Sequence, residues 1–503
     1  NLMERYLLTV TFRADGSSKF APSNRWGYFP AAALGWRMSE EAFLNDVNWL
    51  DNLKLRVSYG EVGNDGINSS LWSQNWESTS DKRYQGAVNG AFLPSYSLGA
   101  DMANKDLKWE TTITRNIGVD FGFFNSRLTG TIDAYWNTTK DLLMKTAIPG
   151  ITGFTTTYAN VGQTSNKGIE IALQGVLVKT RDWNVTAGFN INFNRGKVDK
   201  LADNVTGLYG TEWATSSTFP KSDYVLKEGR PVGLVRGLTA DGFYTTDDFT
   251  YENGVYTLKE GVADVSSAVF PNYHLHNGIN ERPAGQLAYP GMAKFKDLND
   301  DGIINDDDVD VIGDMTPVHT GGFNINATYK NFDLGLYFNW SYGNEIYNVN
   351  KLAALYGYKE GAVYENKLSI VKDCYKIYDV VNGELVALTT PEQLNAANAN
   401  AKLPLAYSEN GYVSTLGIED GSYLRLNTLT LGYTLPKSIL QKAGISNLRV
   451  YGSIYNVFTI TGYSGIDAEV STSTSTKTYP QLGMDWGTYP RARSFVLGVN
   501  LSF

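Results

Sequence analysis

The run Asp297-Leu-Asn-Asp-Asp-Gly-Ile-Ile-Asn-Asp-Asp-Asp308 sets oxygen donors at positions 1, 3, 5 and 12 (Asp297, Asn299, Asp301, Asp308). Gly302 at position 6 permits a sharp turn and Ile303 at position 7 offers its carbonyl, which is the spacing of an EF-hand-type Ca2+ loop. Asp308 stands where a bidentate Glu is usual, which weakens such a site, and no flanking helices are evident. The same D-x-N-x-D-G pattern makes Asx turns without metal, so an ordered turn stands beside Ca2+ as a reading. His274 and His276 could share a strand face, but two ligands among Asn and Pro neighbours suit solvated loop histidines better, and His319 has no partner the sequence names. Cys374 is the only cysteine, which excludes an intrachain disulfide, and no convergent His and acid mark it as a nucleophile.

Catalytic signatures are absent: there is no H-E-x-x-H, G-x-S-x-G, Walker loop or dinucleotide fingerprint. Asp247 with Asp248, and Asp306 to Asp308, are neighbours in sequence, not the cross-cleft pair that glycoside hydrolysis needs. The expectation is a non-enzyme. A net charge of -9 argues against nucleic acid as a partner, which calls for a basic stripe. Tyr 32 and Trp 11 make the chain rich in aromatics. Trp72, Trp76, Tyr84, Trp213, Tyr356 and Tyr358 could stack on sugars, pack on a partner or pin their own loops; none is assigned as a ligand contact.

The elements that must position these residues are strands. Phe495, Leu497, Val499, Leu501 and Phe503 are apolar while Val496, Gly498, Asn500 and Ser502 between them are mostly small or polar, a period of two. Leu53, Leu55, Val57 and Tyr59 alternate with Lys54, Arg56, Ser58 and Gly60. Val185 to Phe193 set aliphatics and aromatics against Asn184, Thr186, Asn190 and Asn192, and a row of Asn and Thr suits a wet lumen wall. Such segments run about 9 to 11 residues, enough for a tilted strand to cross a bilayer. Nothing resembles 18 consecutive apolar residues, which excludes transmembrane helices.

Similar strands are expected at Leu7–Arg13, Trp26–Met38, Ile113–Phe123, Arg127–Asn137, Ile169–Leu173, both sides of Lys330-Asn331, Leu424–Tyr433 and Leu448–Phe458. Ser39 and its acidic neighbours read as a capped short helix. Long loops fall at about 64–106, 196–229, 246–315, 344–420 and 459–490. If F-N-S, K-T-R-D, Lys330-Asn331 and L-P-K-S-I-L-Q-K-A-G are all short turns on one side, an even number of strands separates Arg195 from Thr316. Two is the simplest number, for a total of about fourteen.

Several blocks, spread from end to end, resemble the SusC/RagA family of TonB-linked outer-membrane transporters. They include R-A-D-G-S-S-K-F with N-R-W-G-Y-F-P-A-A-A-L-G-W, L-K-L-R-V-S-Y-G-E-V-G-N, L-K-W-E-T-T with N-I-G-V-D-F-G-F-F, and Y-A-N-V-G with N-K-G-I-E-I. F-K-D-L-N-D-D-G-I-I-N, Y-L-R-L-N-T-L-T-L-G-Y-T-L-P, Y-N-V-F-T-I-T-G-Y-S-G-I-D-A-E and the final Y-P-R-A-R-S-F-V-L-G-V-N-L-S-F complete the set.

The resemblance implies an all-β, antiparallel transmembrane barrel of roughly 22 strands around a plug. This chain would supply the last fourteen or so across residues 1–503, with the plug absent. It further implies TonB-dependent import of oligosaccharides or peptides across the outer membrane of a Gram-negative bacterium, and a SusD-like lipoprotein partner over the mouth. The TonB complex would act through a region outside this chain. Asn1 in place of an initiator Met suits a mature or truncated piece. The rival readings are a secreted soluble β-rich protein that binds or degrades glycans and, more weakly, a receptor that signals as well as imports. Leu53, Leu55, Val57, Phe189, Ile191, Leu497 and Leu501 separate barrel from sandwich: the first exposes them to lipid, the second buries them.

Overall fold

The computed structural model describes residues 1–503 apart from 80–85, 94, 100, 203–204, 215–217, 271–281, 356–367, 407–410, 441–443 and 471–481. Its frame is a twelve-stranded sheet in chain order. The strands are β1 (Tyr6–Gly16), β2 (Trp26–Arg37), β3 (Leu50–Asn64), β4 (Glu110–Phe123), β5 (Leu128–Lys140), β6 (Gln163–Lys179), β7 (Trp183–Lys200), β8 (His319–Tyr329), β9 (Phe332–Tyr342), β10 (Tyr423–Thr434), β11 (Asn447–Thr461) and β12 (Ser494–Ser502). Each is antiparallel to the next, as a meander of hairpins must be.

All twelve strands read from periodicity are present, but the two further strands expected between Arg195 and Thr316 are not part of this sheet. β7 pairs directly with β8, from Trp183 opposite Tyr329 to Asn192 opposite Thr320. The frame therefore has twelve described strands in place of about fourteen. Parity held because zero is also even. The short helix expected at Ser39 is instead two 3-10 turns, Met38–Glu40 and Ala42–Leu44, neither with a side-chain cap.

Connections alternate between two rims, and all the long ones lie on one of them. One rim has 38–49, 124–127, 180–182, 330–331 and 435–446; the other has 17–25, 65–109, 141–162, 201–318, 343–422 and 462–493. The 141–162 connection was not among the expected loops; it carries a hairpin of Leu143–Ala147 with Thr156–Asn160.

The outward face is apolar from edge to edge. One row runs Leu34, Val57, Ile117, Ala134, Ile169 and Phe193, another Ala187, Ile325, Leu336, Leu429, Ile454 and Phe495. None of the seven discriminating side chains is buried: Val57 is 42% exposed and Leu497 89%. Aromatics close both margins of this belt. Trp183 lies on Tyr329 at 4.4 Å and Phe332 on Tyr433 at 4.7 Å beside the short turns. Tyr342 stacks on His319 at 5.0 Å beside the long loops. Phe332 to Tyr342 is about 34 Å of strand, or about 26 Å of height at a tilt near 40°, close to the ~25 Å apolar band of a membrane barrel.

The buried core sits above the sheet, among the loops. Phe219, Leu238, Tyr244, Tyr256 and Phe295 from 201–318 pack with Tyr375, Leu394 and Tyr412 from 343–422. Tyr224, Val235 and Met315 pack with Tyr347, Leu352, Val413 and Met484, which ties in the loop that follows β11. This packing explains the missing strands: the apolar residues of 201–318 bury against one another, so they need no alternation facing lipid.

Candidate functional site: a polar conduit wall beneath a loop cap

The sheet's inner face is made by the same alternation that exposes the apolar belt. One row crosses Thr131, Ala172, Asn190, Gly322, Asn339, Arg425 and Thr459, and the row beside it Thr129, Gln174, Gly188, Asn324, Tyr337 and Thr428. Amides and hydroxyls can exchange hydrogen bonds with a passing polar solute without holding it by charge. Glycines in these rows make room: a Cβ at Gly188 would stand 2.8 Å from Asn324 Nδ2.

Most wall charges are paired with each other. Arg56 Nε donates to Asp120 at 3.0 Å and its Nη2 to Asp133 at 3.0 Å, reaching over Gly118 on the strand between. Arg449 Nε donates to Asp333 at 2.8 Å over Gly432 in the same manner. A Cβ at either glycine would lie 2.4 Å from the partner carboxylate, so these glycines are what let the ion pairs span three strands. The sequence shows every one of these residues; only register shows that they meet.

Arg425, at 2% exposure, is the largest fully buried side chain among the described residues and joins wall to cap. Its Nε donates to Thr459 at 2.9 Å, Nη1 to Glu469 at 2.9 Å and Nη2 to Asp467. Arg491 adds a second cation to the same two carboxylates, at 2.9 Å from Glu469 and 3.5 Å from Asp467. Glu419 links the two last loops: it accepts from Ser464 N at 3.0 Å and Ser464 Oγ at 2.9 Å, and meets Lys351 at 3.2 Å. Burial pushes the Glu419 carboxyl up, but the Ser464 and Lys351 partners outweigh it and hold the group below its ordinary value. Asp223, fully buried in the cap, accepts from the N–H groups of Glu212, Trp213 and Ala214 at 2.8, 2.8 and 3.0 Å, and burial raises it despite these bonds.

The Asp297–Asp308 loop is built as a self-capped turn. Asp297 accepts from Gly302 N at 2.7 Å, Asp301 from Ile303 N at 2.8 Å, and Asn299 from Asp301 N at 3.2 Å. Asp308 is fully buried and spends one oxygen on Leu298 N at 2.7 Å and the other on Asn305 N at 2.8 Å. Gly302 has φ +84°, the left-handed conformation its place in the pattern implies. Among the described residues no three His, Cys, Asp or Glu side chains are grouped to hold a metal ion. As arranged, the donor set fits Asx turns and does not converge as a Ca2+ cage, and Asp306–Asp308 form a 3-10 turn where an EF-hand would begin a helix.

His274, His276, Tyr84, Tyr356 and Tyr358 fall outside the described residues. His319 lies at the upper margin, where its Nδ1 accepts from Trp340 Nε1 at 3.0 Å. Trp72 donates to Ser18 O at 3.3 Å, Trp213 packs edge-on to Tyr347, and Trp76 is exposed, so these three described loop aromatics do not form one platform. Cys374 is buried; burial first, and the Asp373 charge second, push its thiol up to about 11.

An apolar belt between aromatic margins, a polar inner face, short turns on one rim and folded loops on the other define the wall of an outer-membrane β-barrel. Comparison with known proteins agrees. A family model described as TonB dependent receptor-like, beta-barrel, matches residues 1–457. The chain is 31% identical over 504 residues to TonB-dependent receptor P3 of Formosa agariphila, covering 99% of this chain and 44% of that protein. It is 31% identical over 512 residues to TonB-dependent receptor SusC of Bacteroides thetaiotaomicron, covering 100% and 43%. Among solved structures, the RagAB peptide importer in its closed-closed state matches with TM-score 0.72 at 24% identity, covering 99% of this chain and 46% of that one. The chain belongs to the TonB-dependent receptor β-barrel family and is a protein of the bacterial outer membrane. It spans less than half the length of the curated relatives it matches.

Proposed function

We propose that this chain is barrel wall and loop cap of an importer that moves oligosaccharides or peptides across the outer membrane, driven through TonB, with a SusD-like lipoprotein over the loops. The observation that carries the reading is the two-faced sheet: an unbroken lipid belt outside and, inside, rows of Asn, Gln, Thr and Tyr whose wall charges are largely paired internally. A neutral, hydrogen-bonding conduit suits solutes rich in hydroxyls or amides. The names of the SusC and RagAB relatives support this reading, and the packed loops offer a broad surface for a lid. TonB would engage a part of the whole protein outside this chain.

The test is made on the full-length protein extracted from outer membranes in mild detergent. Co-purification of a stoichiometric surface lipoprotein, with uptake of an oligosaccharide or peptide lost when TonB is deleted, supports the reading. Recovery in the soluble fraction without detergent sinks it. Ca2+ at Asp297, Asn299, Asp301, Ile303 and Asp308 is a separate proposal supported by their spacing alone. It requires the acidic side chains to draw together, so a rise in thermal stability on adding Ca2+ would support it and no rise would leave the self-capped turn.

A further inference from the structure

We propose that the outward face of β4–β7, at the rim carrying the long loops, holds the phosphorylated headgroup of a membrane lipid, with an acyl chain in the apolar groove below. Arg115, Trp136, Lys167 and Arg195 are successive cross-strand partners on these four strands. The next outward row toward the short turns is Ile117, Ala134, Ile169 and Phe193, so the three cations stand directly on the edge of the lipid belt. That height is where lipid headgroups meet a barrel.

These cations lack the partners that most other charges on the wall have. Arg115 Nη1 donates to Thr138 Oγ1 at 3.4 Å and Arg195 Nη1 to Pro317 O at 3.3 Å. Neither they nor Lys167 meets a carboxylate among the described residues. The nearest outward-facing acids are engaged elsewhere: Asp199 with Lys197 at 3.1 Å, Gln163 and Ser165, and Glu61 with Tyr59. Lys167 and Arg195 are opposed in register, a like-charge pair that destabilises a sheet unless an anion lies between them. Both are exposed.

Beneath them is a groove of about 530 Å³ lined by Trp136, Ile169, Phe193 and Val318 with Lys167 and Arg195 at its edge. Trp136 is 45% and Ile169 47% exposed. Cationic edge and apolar trough match the two parts of one phosphorylated lipid, whereas free phosphate would leave the trough unused. The outward margin of β8–β11 at the same rim has instead His319, Tyr342, Leu424 and Ile460, so the cationic patch is local. The inference rests on the barrel standing in the outer membrane with this rim at the outer leaflet, and not on what it imports.

The experiment uses full-length protein in phosphatidylcholine nanodiscs doped with lipid A or with the same lipid A stripped of its phosphates, read by native mass spectrometry. Wild type should retain phosphorylated lipid A, and Lys167→Gln with Arg195→Gln together should weaken retention about 30-fold. Arg195→Gln alone should weaken it about 5-fold, which keeps the test open if the double variant misfolds. Lys167→Arg should bind as wild type. Equal retention of the dephosphorylated lipid, or unchanged retention by both variants, overturns the proposal. Full competition by inorganic phosphate at matched concentration also overturns it, in favour of a free-anion site. Variants that lose lipid but still import leave the transport reading untouched; loss of the protein from the membrane would remove both.

Discussion

Arg425 is the residue whose loss is most informative, because its two carboxylate partners lie in a different segment from its own strand. Arg425→Met leaves Asp467, itself 7% exposed, with the Glu469 N–H at 2.9 Å and Arg491 at 3.5 Å as its remaining cation. Removing one partner of a buried ion pair costs about 3–5 kcal/mol. The expected result is early proteolysis within 462–493 while the barrel keeps its resistance to heat in gel electrophoresis. Cys374 is the opposite case. A buried thiol pushed up to about 11 by burial and Asp373 stays protonated at neutral pH, so maleimide should label it only after unfolding. In the Asp297 loop, Asp308→Ala strands two backbone N–H groups and should cost about 2–3 kcal/mol with or without Ca2+, read as a shift in the unfolding midpoint. The oxygen spacing was legible in sequence, and so was the Gly302 turn. What was not legible is that the carboxylates turn inward to their own backbone, since a metal and an N–H ask for the same oxygens.

At the scale of elements, alternation located every strand of the frame, because lipid outside and water inside force period two along each one. It said nothing of the 201–318 segment, where apolar residues bury in a packed loop core and no face is fixed. The wall ion pairs were equally hidden: Arg56 with Asp133, and Asp333 with Arg449, need register, which a single strand does not contain. The loops offer a prediction of their own. The Glu419 carboxyl is held below its ordinary value in the folded cap, so it contributes stability above about pH 4.3 that is lost as pH falls through the lower folded value. The protection factor for hydrogen exchange at Ser464, taken against the intrinsic rate at each pH, should therefore fall only in that acid range, and Glu419→Gln should remove that fall while keeping one acceptor for Ser464.

For the whole molecule, the decisive question is what the outward face meets, and Leu497 on β12 answers it most sharply. Its side chain is 89% exposed, and it lies midway along β12 on the outward face, between Phe495 and Val499. In water such a position tolerates an arginine within about 0.5 kcal/mol. At the midplane of a bilayer the same substitution costs about 2–4 kcal/mol, falling to about 0–1 near the headgroups. Leu497→Arg in the full-length protein, folded into vesicles and unfolded with denaturant, should lose the larger amount, and Tyr342→Arg at the upper aromatic margin the smaller. Asn190→Arg, on the inner face of the same sheet, should stay near the smaller figure because its charge remains in water. A gradient that follows depth on one face and vanishes on the other is the energetic signature of a barrel in lipid. Uniform tolerance of all three would mean that the apolar belt faces water, and the importer reading would fall with it.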